Sequence, residues 1–439
     1  MLMNFPGHLN LTTPATQPVD APADAGSQPI LSLCIPTYNR APFLDYLLTS
    51  LARDCAFAFP FEVVVSDNAS TDDTAEVIAR HLEGGLALSY FRQEENKGGM
   101  PNLMTAFRRA RGRYVMYLAD DDLIDAPALA DTIDYLRANP EIRACYTPWE
   151  LYDDVTKQPG PMFFDLPEDF VIHPGQELDL LGHIINTHIF PETVIYRADA
   201  VRDISSDARF CYWAFSYLAH VVQHGPVAFR RKHYYRSVTA SSVAVRTQAG
   251  HEQAMSDWDS YRGGLEYFVY ALLRRAGTAL SLEHKRAFRD MIDIFIETRM
   301  QVALRLWLGR GDFLRAYELI CRIHYLDPKG VGTIDQVEKL PLLILAQTLA
   351  RLANGIAGLD RIQLDGVEDG PSVAGLLREM GLERRILVSP AVPTLDPAAK
   401  RSSLVFIRNE DARQRFLDDG YLPGLIVSER ELQGGILLG

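Results

Sequence analysis

Between Ile30 and Asp122 the chain repeats one pattern: a short apolar run, a polar loop, then a stretch with apolar residues at helical spacing. The runs are Ile30 to Ile35, Phe61 to Val65 and Leu86 to Phe91, and the stretches that follow are Phe43 to Leu51, Thr74 to Leu82 and Asn102 to Ala110. A fourth run, Arg113 to Leu118, ends in Asp120-Asp121-Asp122, with a helix expected over Ala128 to Leu136. Runs this short and this apolar read as buried strands. Strands that alternate with helices require crossovers, which predicts an α/β fold: a mostly parallel sheet sandwiched by helices. Ligands bind such sheets beyond the carboxyl ends of the strands, so the polar residues after each run should form one site.

After the first run come Pro36-Thr37-Tyr38-Asn39-Arg40, after the second Ser66 to Asp73, after the third Asn96-Lys97-Gly98-Gly99, and after the fourth the three aspartates. Two unit charges about 4 Å apart repel by roughly 4 kcal/mol at an effective dielectric near 20, so three adjacent carboxylates at a strand end call for a counter-charge. Mg²⁺ or Mn²⁺, which take oxygen ligands from carboxylates and substrate phosphates, would supply it. A solvated turn that caps the next helix is the competing reading. Asp67 can hydrogen-bond a base, Tyr38 can stack on it, and Arg40 and Lys97 can offset phosphate charge. Gly98 and Gly99 permit close approach of backbone to a ligand. Ser70 and Asp73 have the spacing of a capping box for the helix from Thr74.

The net charge of −13 opposes nucleic-acid binding, which depends on Lys and Arg neutralising phosphates. Five widely spaced cysteines without a Cys-x-x-Cys pair indicate neither a disulfide framework nor a zinc site, and fit a reducing cytoplasm. No signal-peptide pattern and no uncharged apolar run of about 18 residues occurs. Residues 1–29, rich in Pro, Ala, Thr and Asp, are expected to be a disordered leader.

Over about Ile30 to Asp154 the four motifs, taken in order, resemble those of the family 2 glycosyltransferases, which have the GT-A nucleotide-diphospho-sugar fold. The resemblance implies transfer of a sugar from a nucleoside diphosphate to an acceptor hydroxyl, with inversion, in the synthesis of surface glycans or glycoconjugates. It implies that Pro36, Thr37, Tyr38, Arg40, Asp67, Lys97 and Asp120 bind the donor and that Asp121 and Asp122 hold Mn²⁺ or Mg²⁺. Its partners would be the donor and a glycan, lipid-linked or protein acceptor. The family's usual acidic residue at the start of a later helix is absent; Tyr212, Trp213 and Ala214 stand there. Asp207 is therefore the first choice of catalytic base, followed by Glu192, His188 and His220. A sugar nucleotidyltransferase, whose glycine-rich loop is missing here, and a non-catalytic sugar-nucleotide binder are the alternatives.

The domain with these motifs is expected to span 30–250, with a loop from Pro159 to Pro174 that shapes the acceptor side. The basic run Arg230 to Arg236 reads either as a segment over the diphosphate or as an edge strand. A helical region over 251–360 follows, in which Trp307 with Arg305 and Arg310 leaves room for peripheral association with the inner face of the membrane. A small α/β unit over 361–439, with strands at Arg385 to Val388, Leu404 to Ile407 and Leu425 to Val427, leaves oligomerisation, acceptor binding and regulation open.

Overall fold

The computed structural model describes residues 19–20, 28–202, 204, 212–244, 257–277, 279, 281–327, 339–392 and 396–434. Its contacts divide the chain into two units, Met1–Ile292 and Asp293–Gly439. Asp207 and most of the expected leader lie outside the described residues.

The first unit opens with the expected alternation: β1 (Leu31–Thr37), α1 (Ala41–Asp54), β2 (Phe61–Asp67), α2 (Thr74–Glu83), β3 (Leu88–Arg92), α3 (Gly99–Arg109) and β4 (Tyr114–Tyr117). The parallel order β3-β2-β1-β4 forms the centre of a nine-stranded sheet. Leu31, Leu33, Cys34 and Ile35 of β1 are wholly buried, as an apolar strand covered on both faces should be. Both faces are covered because α1, α2 and α3 return the chain across the sheet. Gly98, at φ +92, turns the chain into α3, a backbone state that costs glycine nothing.

At the end of the sheet opposite the polar loops, Glu62 is buried and accepts from Ser32 Oγ at 2.6 Å, Arg111 N at 2.7 Å and Arg111 Nε at 2.9 Å. Ser32 Oγ in turn accepts from Gly112 N, and a Cβ at Gly112 would stand 2.6 Å from that oxygen. A buried carboxylate thus ties β1 and β2 to the turn before β4.

Beyond the aspartates the chain forms β5 (Leu123–Ile124), α4 (Ala126–Ala138), β6 (Ala144–Tyr146), β7 (Trp149–Asp153), β8 (Gln158–Met162), β9 (Phe170–Ile172), α5 (Glu177–Asn186), β10 (Val194–Arg197), α6 (Ala198–Arg202), α7 (Trp213–Val221), β11 (Val227–Phe229) and β12 (Tyr235–Ala240). β10 runs antiparallel between β4 and β6 and extends the main sheet. β5, β12, β7 and β8 make a second, four-stranded sheet.

Two expectations change here. Part of the loop expected over Pro159 to Pro174 is strand: β8 pairs antiparallel with β7, and Phe163 stacks on Trp149 with centroids 4.4 Å apart. Aromatic cross-strand packing outweighs the turn propensity of the prolines. The basic run ends in an inner strand, not an edge, because β12 pairs with β5 on one side and β7 on the other. Its cations are matched by acids: Arg230 and Lys232 reach Asp131, and Arg236 reaches Asp125 and Glu150. Helix α8 (Trp258–Arg275) packs on α7 and α5.

In the second unit, α9 (Phe313–Leu326) and α10 (Leu340–Gly355) pack together, and Leu349, Ala350 and Ala353 of α10 enter one core with Ile362, Leu364 and Leu404. Four parallel strands build its sheet, in the order Leu387–Pro390, Arg361–Asp365, Ser403–Ile407, Ile426–Ser428. The central strand Arg361–Asp365 was not legible beforehand, since Arg361, Gln363 and Asp365 interrupt the apolar pattern; Gln363 is fully buried and bonds Tyr421 Oη at 2.9 Å. Asn409 caps the short helix that follows it and Gly420 takes φ +89. Trp307 is buried under Arg310 and Arg315, so it presents no ring to a membrane. Among the described residues no helix is long and apolar enough to cross one.

Candidate active site at the carboxyl ends of the parallel strands

The loops after β1 to β4 meet at one edge of the sheet and are joined by side-chain hydrogen bonds. Thr37, the last residue of β1, donates to Asp120 Oδ2 at 2.8 Å. Arg40 lies at the start of α1, with Nε 3.0 Å from Asp120 Oδ1 and Nη2 on Asp121 Oδ2. The counter-charge the aspartates require is therefore, in the protein alone, the Arg40 guanidinium.

Asp120 is buried, and burial pushes its carboxyl up to about 7. Arg40 and the Thr37 hydroxyl act against this, while Asp121 and Asp122 reinforce it. Asp122, also buried, accepts from Tyr235 Oη and Val238 N, both at 2.9 Å, so it fastens the aspartate turn to β12. The Tyr235 oxygen also accepts from Ala119 N at 3.2 Å.

Asp67 is 1% exposed at the end of β2; it accepts from Ser70 N at 2.8 Å and Tyr90 Oη at 2.7 Å, with Arg92 Nε 3.8 Å away. Each carboxylate oxygen has two lone pairs, so these bonds orient the group and still leave acceptor capacity for a base. Asn68 links the second loop to the third by donating to Asn96 Oδ1 and accepting from Lys97 N, each at 2.8 Å. The Lys97 side chain is exposed, Tyr38 is 42% exposed, and Pro36 pairs with Ser66 inside the sheet.

The expected capping box at Ser70 and Asp73 does not form. Ser70 Oγ accepts from Asn39 N at 2.9 Å, and Asp72 does the capping: one oxygen takes Thr74 Oγ1 at 2.6 Å, the other takes Ala41 N at 2.9 Å. One carboxylate thus serves the first turns of two helices. Asn39 and Ala69 both sit at positive φ, 52° and 66°, where the two loops clasp. Sequence reading passed over Asn39, Asp72, Tyr90 and Tyr235 as site residues. Asn39 beside Thr37-Tyr38 gave a signal, since Asn tolerates the left-handed region; Tyr90 and Tyr235 gave none, because their partners lie 23 and 113 residues away.

A hard divalent cation takes carboxylate and phosphate oxygens together, and the aspartate turn offers the carboxylates. Among the described residues no group of three or more His, Cys, Asp or Glu could hold such an ion by protein ligands alone.

A further carboxylate stands beside this turn. β10 pairs antiparallel with β4, Ile195 opposite Met116 and Tyr196 opposite Val115, which brings the turn that holds Glu192, just before β10, to the end of β4. Glu192 accepts a hydrogen bond from the Tyr212 hydroxyl, and burial is the main cause that pushes its carboxyl up to about 7. The Asp122 charge adds to the rise and the Tyr212 bond opposes it. His188 is at φ 52 in the loop before it, and His220 bonds Gln223 and His224 in the turn that follows its helix.

A raised carboxyl favours folding below its unfolded value and withdraws that contribution as pH rises through the folded value. The stability of the wild type minus that of Glu192→Gln, from urea unfolding, is therefore expected to fall between about pH 5 and about pH 8. A difference that is flat with pH would contradict the burial of this charge.

Residues 32–205 match the family model for glycosyl transferase family 2. The chain is 34% identical over 117 residues to an abequosyltransferase of Salmonella typhimurium, covering 26% of this chain and 35% of that protein. It is 30% identical over 175 residues to validoxylamine A glucosyltransferase of Streptomyces hygroscopicus subsp. limoneus, covering 38% and 37%. Over 175 residues it is 29% identical to the poly(ribitol-phosphate) beta-N-acetylglucosaminyltransferase TarS of Staphylococcus aureus, covering 39% and 28%. The chain thus spans about a third of the length of these relatives. Among solved structures, the S. aureus TarS fragment 1–349 in complex with UDP-GlcNAc superposes with a TM-score of 0.45 at 18% identity, covering 72% of this chain and 84% of that one. The stretch that matches glycosyl transferase family 2, residues 32–205, is the one that places the four motif loops on a single sheet edge.

Proposed function

We propose that this protein transfers a sugar from a nucleoside diphosphate to an acceptor hydroxyl, with inversion, in the synthesis of a surface glycan or glycoconjugate. The observation that carries the reading is the join of Thr37 and Arg40 to Asp120 and Asp121, which sets a cationic and an anionic group side by side where the parallel strands end. Asp67, oriented by Ser70 and Tyr90, would accept from the base. Tyr38 would lie against it, Pro36 and Thr37 would floor the pocket, and Lys97 would reach the ribose or the diphosphate.

Asp121 and Asp122 would hold a divalent cation, Mn²⁺ or Mg²⁺, and Asp120 the ribose. When bound, the cation would neutralise charge on the leaving diphosphate. Arg40 would move from Asp121 toward the phosphates, so that the group which balances the carboxylates in the free protein balances the diphosphate in the complex. Asp207 remains the catalytic base suggested by the sequence. The relatives' names as abequosyl-, glucosyl- and N-acetylglucosaminyltransferases support sugar transfer and leave the sugar open. The units 30–250, 251–360 and 361–439 are proposed as the functional divisions, with work for the first at the cytoplasmic face of the membrane.

A thermal-shift panel of UDP, GDP, dTDP and CDP and their sugars, with and without Mn²⁺, tests this reading. A ligand at 100 times its dissociation constant stabilises the folded state by about 2.7 kcal/mol. One nucleotide series is expected to stand out, and more so with metal. No shift with any member would sink the reading.

A further inference from the structure

We propose that Glu192 is the general base that takes the proton from the acceptor hydroxyl. The inference rests on the glycosyl-transfer reading and puts Glu192 in the place of Asp207 as its base. Its ground is position: Glu192 lies in the turn before β10, and the antiparallel pairing of β10 with β4 brings that turn to the end of β4 from which the three aspartates follow, on the side of β4 away from β1 and the donor loops. A base that deprotonates an acceptor belongs on that side, facing the sugar from the direction opposite the leaving diphosphate.

The surroundings suit the task. Tyr212, one residue before α7, donates to the carboxylate and fixes it. Phe190, Tyr212 and Tyr261 form a cluster with centroids 4.7 to 5.2 Å apart, and Trp213 meets Tyr117 edge-on at 5.9 Å. The charged and titratable groups that act on Glu192 are Asp122, Tyr117 and Tyr212. One edge of Glu192 is open, so an acceptor can reach it, while burial of the rest raises its carboxyl to about 7, the proton affinity a base needs at neutral pH.

In the step, the acceptor oxygen forms a bond to the anomeric carbon as the bond from that carbon to the diphosphate oxygen breaks. The electron pair leaves with the diphosphate, and the acceptor proton passes to Glu192. With water as acceptor the same residue takes the proton of water, which allows a test before the acceptor is known.

The test measures release of nucleoside diphosphate from UDP-, GDP-, dTDP- and CDP-sugars in water, in the full chain, for wild type, Glu192→Gln, Glu192→Asp and Tyr212→Phe. Glu192→Gln is expected to lose about 10²- to 10⁴-fold in kcat with donor affinity unchanged, which shows the site is still folded. Glu192→Asp should keep part of the rate. Tyr212→Phe should move the acidic limb of the pH profile upward, because it removes the donor that holds the carboxyl down, an effect a purely structural tyrosine would not produce. A Glu192→Gln rate equal to wild type, or loss of rate in Asp207→Asn with Glu192→Gln active, would overturn the assignment and leave glycosyl transfer standing. A wild type that binds no nucleoside diphosphate would remove both.

Discussion

The double variant Asp121→Asn, Asp122→Asn is expected to lose metal-dependent donor binding by about two orders of magnitude, the equivalent of roughly 3 kcal/mol of charge-assisted contact. Like-charge repulsion alone suggests that neutralising the cluster should also stabilise the fold. The geometry reverses that sign. Asp122 accepts from both Tyr235 Oη and Val238 N, one on each carboxylate oxygen. An asparagine offers an oxygen to one of them and an NH₂ to the other, so one buried donor loses its acceptor. Arg40 also loses the charge of one of its two partners. The variant should unfold about 1–2 kcal/mol more easily than wild type by urea titration. A variant that is more stable and still binds donor with Mn²⁺ would show that the aspartate turn is only a cap.

The second large effect lies at the far end of the sheet, away from the chemistry. Glu62→Ala is expected to destabilise the first unit by about 1–3 kcal/mol, the cost of leaving buried donors without an acceptor, since the Arg111 side chain itself is largely exposed. Arg111 N and the Ser32 hydroxyl would lose a buried acceptor, and the Ser32 oxygen also receives Gly112 N. The loss should appear as a lower urea midpoint. A midpoint within about 0.5 kcal/mol of wild type would mean that water replaces the carboxylate there.

The parallel sheet and the place of its site were legible because both follow from local pattern. Runs such as Leu31 to Ile35 and Val63 to Val65 are apolar throughout, and a strand buried on both faces has no other composition open to it. Thr37, Arg40, Asp67 and Asp120 come together as expected, because the carboxyl ends of neighbouring parallel strands must lie side by side. The second sheet was not legible. Its strand Gln158–Met162 carries two prolines and a glycine, and Tyr235–Ala240 follows a run of charges. Both are held by contacts across long separations, such as Trp149 on Phe163 and Tyr235 on Asp122. Arg40 was read as a phosphate ligand, and its pairing with Asp120 and Asp121 needed the turn of α1 to be seen. Glu192 looks no different from any other acidic residue before a strand; only the antiparallel pairing of β10 with β4 brings its turn toward the aspartates.

The claim that joins these parts is that the edge formed by Thr37, Arg40, Asp67 and Asp120 to Asp122 binds a nucleoside diphosphate together with a divalent cation. Calorimetric titration of the full chain with the nucleoside diphosphate selected by the thermal-shift panel, in Mn²⁺ and in excess chelator, addresses it most directly. The account predicts measurable binding with Mn²⁺, a loss of at least about tenfold in affinity with chelator, equivalent to roughly 1.4 kcal/mol, and no metal effect in the double asparagine variant. Equal affinity with Mn²⁺ and with chelator, unchanged by that variant, would contradict it.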